Sequence, residues 1–234
     1  MTSPTTTAPA TTAPAAIAPR RRGRPSRGST AVDEPSVLEA ALELFAEQGY
    51  DGASVRELCR RLGVSHNLLH QRYGSKERLW FAAVDHGFHG LAEEFIDAAL
   101  GIDDDLVALR RVMVRFLDVA AREPALLQII NQEATRAGPR LDHIVDAYLG
   151  PAVVMMEEIC ARLVAGGVFR PLPVPAIYVL VTHGAGGVVS LGPLADRLGL
   201  APLRRDPESV HEFAETIVDV VIAGCRPRVG CAES

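Results

Sequence analysis

Residues 37–80 read VLEAALELFAEQGYDGASVRELCRRLGVSHNLLHQRYGSKERLW. Apolar side chains recur every three to four positions, the period of helices with one buried face. Val37, Leu38, Ala41, Leu42 and Phe45 line one stripe of a first helix over Pro35–Gln48. Pro35 suits its first turn, where no N–H is needed, and Gly49 suits a left-handed cap at its end. The loop YDGA (50–53) follows. Ser54-Val55-Arg56-Glu57 has the pattern of a capping box opening a second helix, in which Val55, Leu58, Cys59 and Leu62 fall at i, i+3, i+4 and i+7 and face inward. Gly63 stops that helix, Ser65 caps a short third helix ending at Gly74, and Ser75 caps a longer fourth.

Two short helices that cross at a sharp angle need small or well-packed residues at the crossing. Cys59 is the small inner residue, Gly63 supplies a turn with positive φ, Val64 plugs the turn and Leu69 anchors the next helix inward. An ordinary helical hairpin carries the same spacings by chance. The outward face separates the two readings. With Leu69 and Tyr73 inward, the third helix exposes His66, Asn67, His70, Gln71 and Arg72, all polar and none acidic. A helix that reads base edges in a major groove needs such hydrogen-bonding side chains, and surrounding phosphates repel carboxylates.

This segment resembles the DNA-binding head of the TetR (tetracycline-repressor) family, with its alanine-rich first helix, the link GYDGAS (49–54), the Leu-Gly-Val-Ser turn and the run HQRYGSK before the fourth helix. The resemblance implies base-reading roles for Arg56, His66, Asn67 and His70, and phosphate-clamping roles for Ser54, Gln71, Arg72 and Lys76. Two positions depart from the family pattern. His70 stands where a tyrosine is usual, keeping a donor without the phenol. Leu68 stands where a small polar residue is usual; it either touches a thymine methyl or packs inside, and packing is the expectation. The resemblance further implies a homodimer on a palindromic double-stranded operator and a helical body whose last two helices pair across the dimer. It also implies a pocket for a small-molecule effector of unknown identity.

Upstream, residues 2–19 are a Thr/Ala/Pro tract that reads as disordered. RRRGRPSR (20–27) then places five arginines in eight residues. RRRGRP resembles the core of an AT-hook, with Arg22 and Arg24 directed into a narrow A·T minor groove; a solvated charge run that only adds unspecific affinity is the other reading. Charge follows the same division. Residues 1–80 hold 11 Arg/Lys against 8 Asp/Glu, and residues 81–234 hold 13 against 21, within a formal net charge of -5. Only the first third can approach a phosphate backbone without strong repulsion. The expected organisation is a disordered basic arm over 1–32, a helix-turn-helix domain over 33–80 and a helical ligand-binding and dimerisation domain over 81–234, an all-α fold throughout.

In the body, helices are expected near 103–122, 124–136, 140–165, 175–190 and 208–223, with an irregular link over 192–207. Ile177, Leu180, Val181, Gly184, Val188 and Leu191 form one apolar face, and Val210, Phe213, Ile217, Val220 and Val221 another; both suit pairing with a second subunit or burial within one. Candidate pocket residues are Phe88, Met113, Phe116, Leu117, Ile130, Met155, Met156 and Ile159, whose methionines and lack of charge suit an apolar or amphipathic ligand. Enzyme readings find little support. GxSxG, P-loop and GxGxxG patterns are absent, and His86, His89, His183 and His211 lack a carboxylate at metal-site spacing, so no metal or cofactor is expected. Cys59, Cys160, Cys225 and Cys231 show no CxxC spacing, and Cys59 reads as an inert packing thiol. No apolar run is long enough to span a membrane, and the chain reads as cytoplasmic. An architectural binder of A·T-rich DNA without a small-molecule signal is the alternative function, against which the large acidic body argues.

Overall fold

The computed structural model of the chain describes residues 32–200 and 206–227, and within them every regular element is helical. α1 (Glu34–Gly52) starts on Pro35 and kinks at Gly49 (φ 70°, ψ 167°), then continues through Tyr50–Gly52, where a loop is expected. α2 (Val55–Leu62) ends at Gly63, whose φ of 66° favours glycine. The Val64 N–H then bonds back to the Cys59 carbonyl at 3.0 Å. Ser65 caps α3 (His66–Tyr73) by accepting from the Leu68 N–H at 3.2 Å, and Ser75 caps α4 (Lys76–Phe88) by accepting from the Arg78 N–H at 3.1 Å. The capping box, however, is not made. Ser54 accepts no side-chain cap bond, and Glu57 turns along α2 to Arg60 (2.7 Å) and Arg61 (3.2 Å). Guanidinium partners one turn away hold a carboxylate more strongly than a neutral N–H does.

The body follows as α5 (Leu91–Ala99), α6 (Asp105–Arg122), α7 (Pro124–Glu133), α8 (Pro139–Ile144), α9 (Gly150–Ala165), α10 (Val174–Val179), α11 (Gly187–Ser190), α12 (Gly192–Arg197) and α13 (Pro207–Cys225). α12 stands within the stretch expected to be irregular. π-helical turns join α8 to α9 (Val145–Leu149) and α10 to α11 (Leu180–Ala185). A glycine follows each, donating its N–H five residues back: Gly150 to the Val145 carbonyl and Gly186 to the Val181 carbonyl. A Cβ at Gly150 would sit 3.0 Å from the Val145 oxygen, and one at Gly186 would collide with the Thr182 carbonyl and with Leu127 of α7. Pro151 adds a cause at the first turn, since it has no N–H to continue the regular ladder.

Two hydrophobic clusters hold these helices. The first takes α1 through α4 and continues into Leu91, Val119, Leu126, Ile129, Ile130 and Ile144, so the packing of the head does not stop at Trp80. Gly87 allows the closest approach within it. A Cβ there would meet Leu126 of α7 at 2.7 Å and Leu42 of α1 at 2.8 Å. The second cluster joins α6, α9 and α13 around Met113, Leu117, Ile159, Leu163, Ala214 and Val218. It also takes up part of the two stripes considered for subunit pairing: Val181 and Val221 are buried in it, and Ile177, Phe213 and Ile217 pack against it, while Val210 is buried outside it. From those stripes Leu180 (57%), Leu191 (53%) and Val220 (65%) remain exposed.

Candidate nucleic-acid interface and apolar cavity

α3 stands on Leu69, buried beneath it, and on half-buried Tyr73, and its outer face presents His66, Asn67, His70, Gln71 and Arg72 to solvent. The rings of His66 and His70 lie nearly parallel, one turn apart (interplanar angle 14°). Leu68 is 39% exposed, so the expected inward packing does not occur. Its backbone is held by the Ser65 cap while its side chain shares the outer face. Arg56 is exposed on α2, and Ser54 just before α2 is exposed with its hydroxyl unused as a cap. Arg60 and Arg61, on the same helix, are already neutralised by Glu57 and, for Arg61, by Glu47 at 2.8 Å. Those guanidinium bonds hold the Glu57 carboxyl below its ordinary range.

Lys76 opens α4 half-buried. Its ammonium lies 4.6 Å from the centroid of the Tyr50 ring and donates to the Asp51 carbonyl at 3.4 Å. The Arg140 guanidinium of α8 lies 3.9 Å from the same ring, and Arg136 reaches Asp51 at 3.5 Å. Tyr50, Asp51 and Arg140 were not singled out from the sequence, because residues 90 positions apart give no local signal of contact. Arg22 and Arg24 lie outside the described residues.

At the other end of α4, a cavity of about 200 Å³ lies among α4 to α7, the first π turn, α9 and α10. Phe88, Phe116, Ile130 and Met155, four of the expected pocket residues, line it. Met113, Leu117, Met156 and Ile159 do not; they pack in the second cluster. On α6 the difference is angular. Residues 113 and 117 share a face toward α9 and α13, whereas 116, 119 and 120 turn toward the cavity. Phe95, Tyr148 and Tyr178 complete the aromatic wall and were missed. The Gly150-Pro151 pair marks where the helix carrying Tyr148 departs from regular geometry, a signal present in the sequence.

Tyr148 stacks on Phe88 with centroids 4.4 Å apart, and its hydroxyl donates to Asp85 of α4 at 2.6 Å. His143 lies 2.6 Å from the same carboxylate oxygen. Burial, with the Asp85 carboxylate adding to it, pushes the Tyr148 phenol pKa up. The cysteines Cys59, Cys160 and Cys225 are buried free thiols, and burial raises all three. Among the described residues no three His, Cys, Asp or Glu side chains converge as metal ligands would, and no helix is long and apolar enough to cross a membrane.

Comparison with known proteins follows the same division of the chain. Residues 37–83 match the family of bacterial regulatory proteins described as the tetR family, and residues 106–221 match the tetracyclin repressor-like C-terminal domain. The HTH-type transcriptional repressor NicS of Pseudomonas putida is 24% identical over 137 residues, 58% of this chain and 65% of NicS, so the match spans just under two thirds of that relative. The HTH-type transcriptional regulator RutR of Escherichia coli K12 is 23% identical over 212 residues, 88% of this chain and 96% of RutR. Among solved structures, the regulator FadR of Bacillus subtilis in complex with stearoyl-CoA shares the fold, with a TM-score of 0.61 at 15% identity over 81% of this chain and 98% of that one.

Proposed function

The chain belongs to the tetR family of bacterial regulatory proteins, DNA-binding transcriptional regulators, and from that premise we propose that it is a homodimeric repressor which holds a palindromic operator and releases it when a small apolar or amphipathic molecule fills the cavity. Arg56, His66, Asn67 and His70 read bases in the major groove. Ser54, Gln71, Arg72 and Lys76 hold phosphates on either side. One observation carries the reading. α4 has Lys76 at one end, beside the recognition helix, and Phe88 at the other, in the cavity wall. At about 1.5 Å per residue its 13 residues put these ends about 20 Å apart on one rigid rod. A ligand that displaces Phe88 or Tyr148 therefore moves the phosphate clamp, and a small shift in one head spoils the register of two heads on one operator.

The acid-free outer face of α3 supports the DNA contact, since a carboxylate there would be repelled by phosphate. The exposed Leu180, Leu191 and Val220 support the dimer: apolar side chains of this size, left uncovered on the last helices, form the core of a subunit interface when a second copy covers them. That FadR is solved with stearoyl-CoA, an amphipathic molecule, supports an effector with a large apolar part for this fold. Arg22 and Arg24 belong to the proposal on the RRRGRP sequence alone, as a minor-groove arm beside the major-groove contact.

The test is a footprint of the purified protein on DNA from its own upstream region, repeated with a panel of apolar small molecules. A protected site with dyad symmetry, lost on addition of one of them, is the expected result. Protection without dyad symmetry, or a monomer by light scattering at micromolar concentration, would overturn the dimeric reading. Protection that no apolar compound relieves would overturn the release step.

A further inference from the structure

The wall of the cavity is strongly selective in what it offers a ligand. Its aromatic and aliphatic side chains include Phe88, Phe95, Phe116 and Met155, and among its lining residues there is no lysine, arginine or histidine. The single carboxylate on it, Glu123, is half-exposed and sits 3.5 Å from its own neighbour Arg122. Two hydroxyls belong to lining residues. That of Tyr148 is committed to Asp85. That of Tyr178 is buried and has no hydrogen-bond partner. A buried hydroxyl left unpaired is costly, so a turn of the Tyr178 side chain that brings its O–H to an acceptor in the cavity gains a bond the protein alone does not supply. Burial pushes the Tyr178 phenol up to about 12, which keeps it protonated and a donor at any physiological pH.

We propose that the cavity takes a small uncharged molecule, about one ring with a short substituent, that carries a single hydrogen-bond acceptor for the Tyr178 hydroxyl, and that it rejects carboxylates. This deepens the reading of the cavity as the effector site and rests on it. Size follows from volume. An apolar cavity of about 150 Å³ holds benzene, so about 200 Å³ admits one ring and a few more atoms, and a chain as long as a stearoyl group does not fit. Charge follows from the lining. An anion entering a wall without a cation would lose its hydration with nothing in return, a penalty far larger than one hydrogen bond restores. A ketone, ester or ether oxygen exchanges one water hydrogen bond for the Tyr178 O–H and leaves the rest of the ligand to apolar contact.

Three probes of nearly equal bulk separate these terms: ethylbenzene, acetophenone and benzoate. Their affinities for the full-length protein and for Tyr178→Phe are measured by ligand-observed NMR titration at neutral pH. Acetophenone is expected to bind the native protein at least about tenfold more tightly than benzoate. Tyr178→Phe is expected to weaken acetophenone by about 5- to 30-fold, the factor corresponding to an unsatisfied buried carbonyl, and to leave ethylbenzene within twofold (roughly the precision at which two affinities count as equal). Retained ethylbenzene binding also reports that the variant is folded with its cavity intact. Benzoate binding as tightly as acetophenone, equal losses for acetophenone and ethylbenzene, or no binding of any probe up to its solubility would each overturn the inference. Operator release is measured separately with the same compounds. Tyr178-dependent binding of acetophenone without any effect on DNA would leave the ligand chemistry standing and remove the reading of the cavity as the site that releases the operator. Release by carboxylates alone would do the reverse.

Discussion

The two ends of α4 are both docked on a tyrosine, and the contrast between the dockings shows where the molecule yields. At the N-terminal end Lys76 and Arg140 lie against the Tyr50 ring, 4.6 and 3.9 Å from its centroid, and Arg136 adds an exposed ion pair to Asp51. Such contacts contribute roughly 0.5–1 kcal/mol each at exposed sites and weaken with salt. At the C-terminal end Phe88 is buried against Tyr148, and the Tyr148 hydroxyl reaches back to Asp85 one turn up the helix. In the proposed reading a phosphate would compete for the first set by attracting Lys76 away from Tyr50. A ligand in the proposed site would compete for the second by taking the space and the stacking surface of Phe88 and Tyr148. The Lys76 end is therefore held loosely by charge and the cavity end tightly by packing, and in the proposed mechanism the stiff rod between them turns a change at either into a change at both.

Removing the rod's central anchor should break both ends together and give the largest effect. Trp80 is 1% exposed, with Phe81 edge-on at 5.2 Å, and Trp80→Ala is expected to cost about 3–5 kcal/mol in urea unfolding. Operator binding and cavity binding should fail in parallel. A variant of native stability that had lost only DNA binding would show that the two ends are not one mechanical unit.

The polar end can be divided further. Arg56→Ala is expected to weaken operator binding by ~1–3 kcal/mol and relax preference at one position per half-site, as loss of a base contact does. Lys76→Ala should weaken all sequences alike and reduce the salt slope by about one, partly offset because Lys76 no longer has to leave Tyr50 and Asp51. Quantitative gel shifts on specific and scrambled sites at several salt concentrations distinguish the two. Equal, sequence-independent losses would remove Arg56 from base reading.

At the apolar end Tyr148→Phe deletes only the bond to Asp85. The stacked ring on Phe88 stays. Stability is expected to fall by about 0.5–1.5 kcal/mol. Ligand affinity for the free protein should change little, while the ligand's effect on operator affinity, and by reciprocity the operator's effect on ligand affinity, should shrink. Unchanged coupling in titrations of ligand with and without DNA would show that Phe88 alone transmits the signal.

The head was legible in the sequence because each of its signals is local. Gly63, Ser65, Ser75 and the spacing of Leu58, Cys59 and Leu69 act within one or two turns, and the structure has the turn and both caps where those residues stand. The capping box failed for an equally local reason, the two arginines within reach of Glu57. The body was legible as helices but not as faces. α6 is apolar on two sides, so periodicity alone could not say that Phe116 faces the cavity and Met113 and Leu117 face α13. The apolar stripes over 177–191 and on α13 left the same choice open: a protomer's own second cluster and a partner subunit both ask for valine and isoleucine at helical spacing. Tyr178 carried no signal until the structure showed its hydroxyl buried beside an empty volume.

The smallest expected effect falls on the recognition helix itself, at Leu68. Its outward position, 39% exposed, separates two roles that the sequence left open. A core leucine truncated to alanine costs about 2–5 kcal/mol, whereas a surface substitution stays within about 0.5 kcal/mol. Leu68→Ala is therefore expected to unfold at nearly the same urea concentration as the native protein, and Leu69→Ala, buried one residue later, is not. If Leu68 meets a thymine methyl in the groove, the loss appears only in binding, at about 0.8 kcal/mol per methylene-sized contact removed. Operators carrying uracil for thymine lack that methyl without altering base pairing. At the contacted position, uracil should weaken the native protein and leave Leu68→Ala indifferent, so that the two proteins bind the substituted operator alike. A large loss of stability in Leu68→Ala would return the residue to the core of the head. A loss of affinity that no thymine-to-uracil substitution reproduces would leave Leu68 outside the set of base-reading residues.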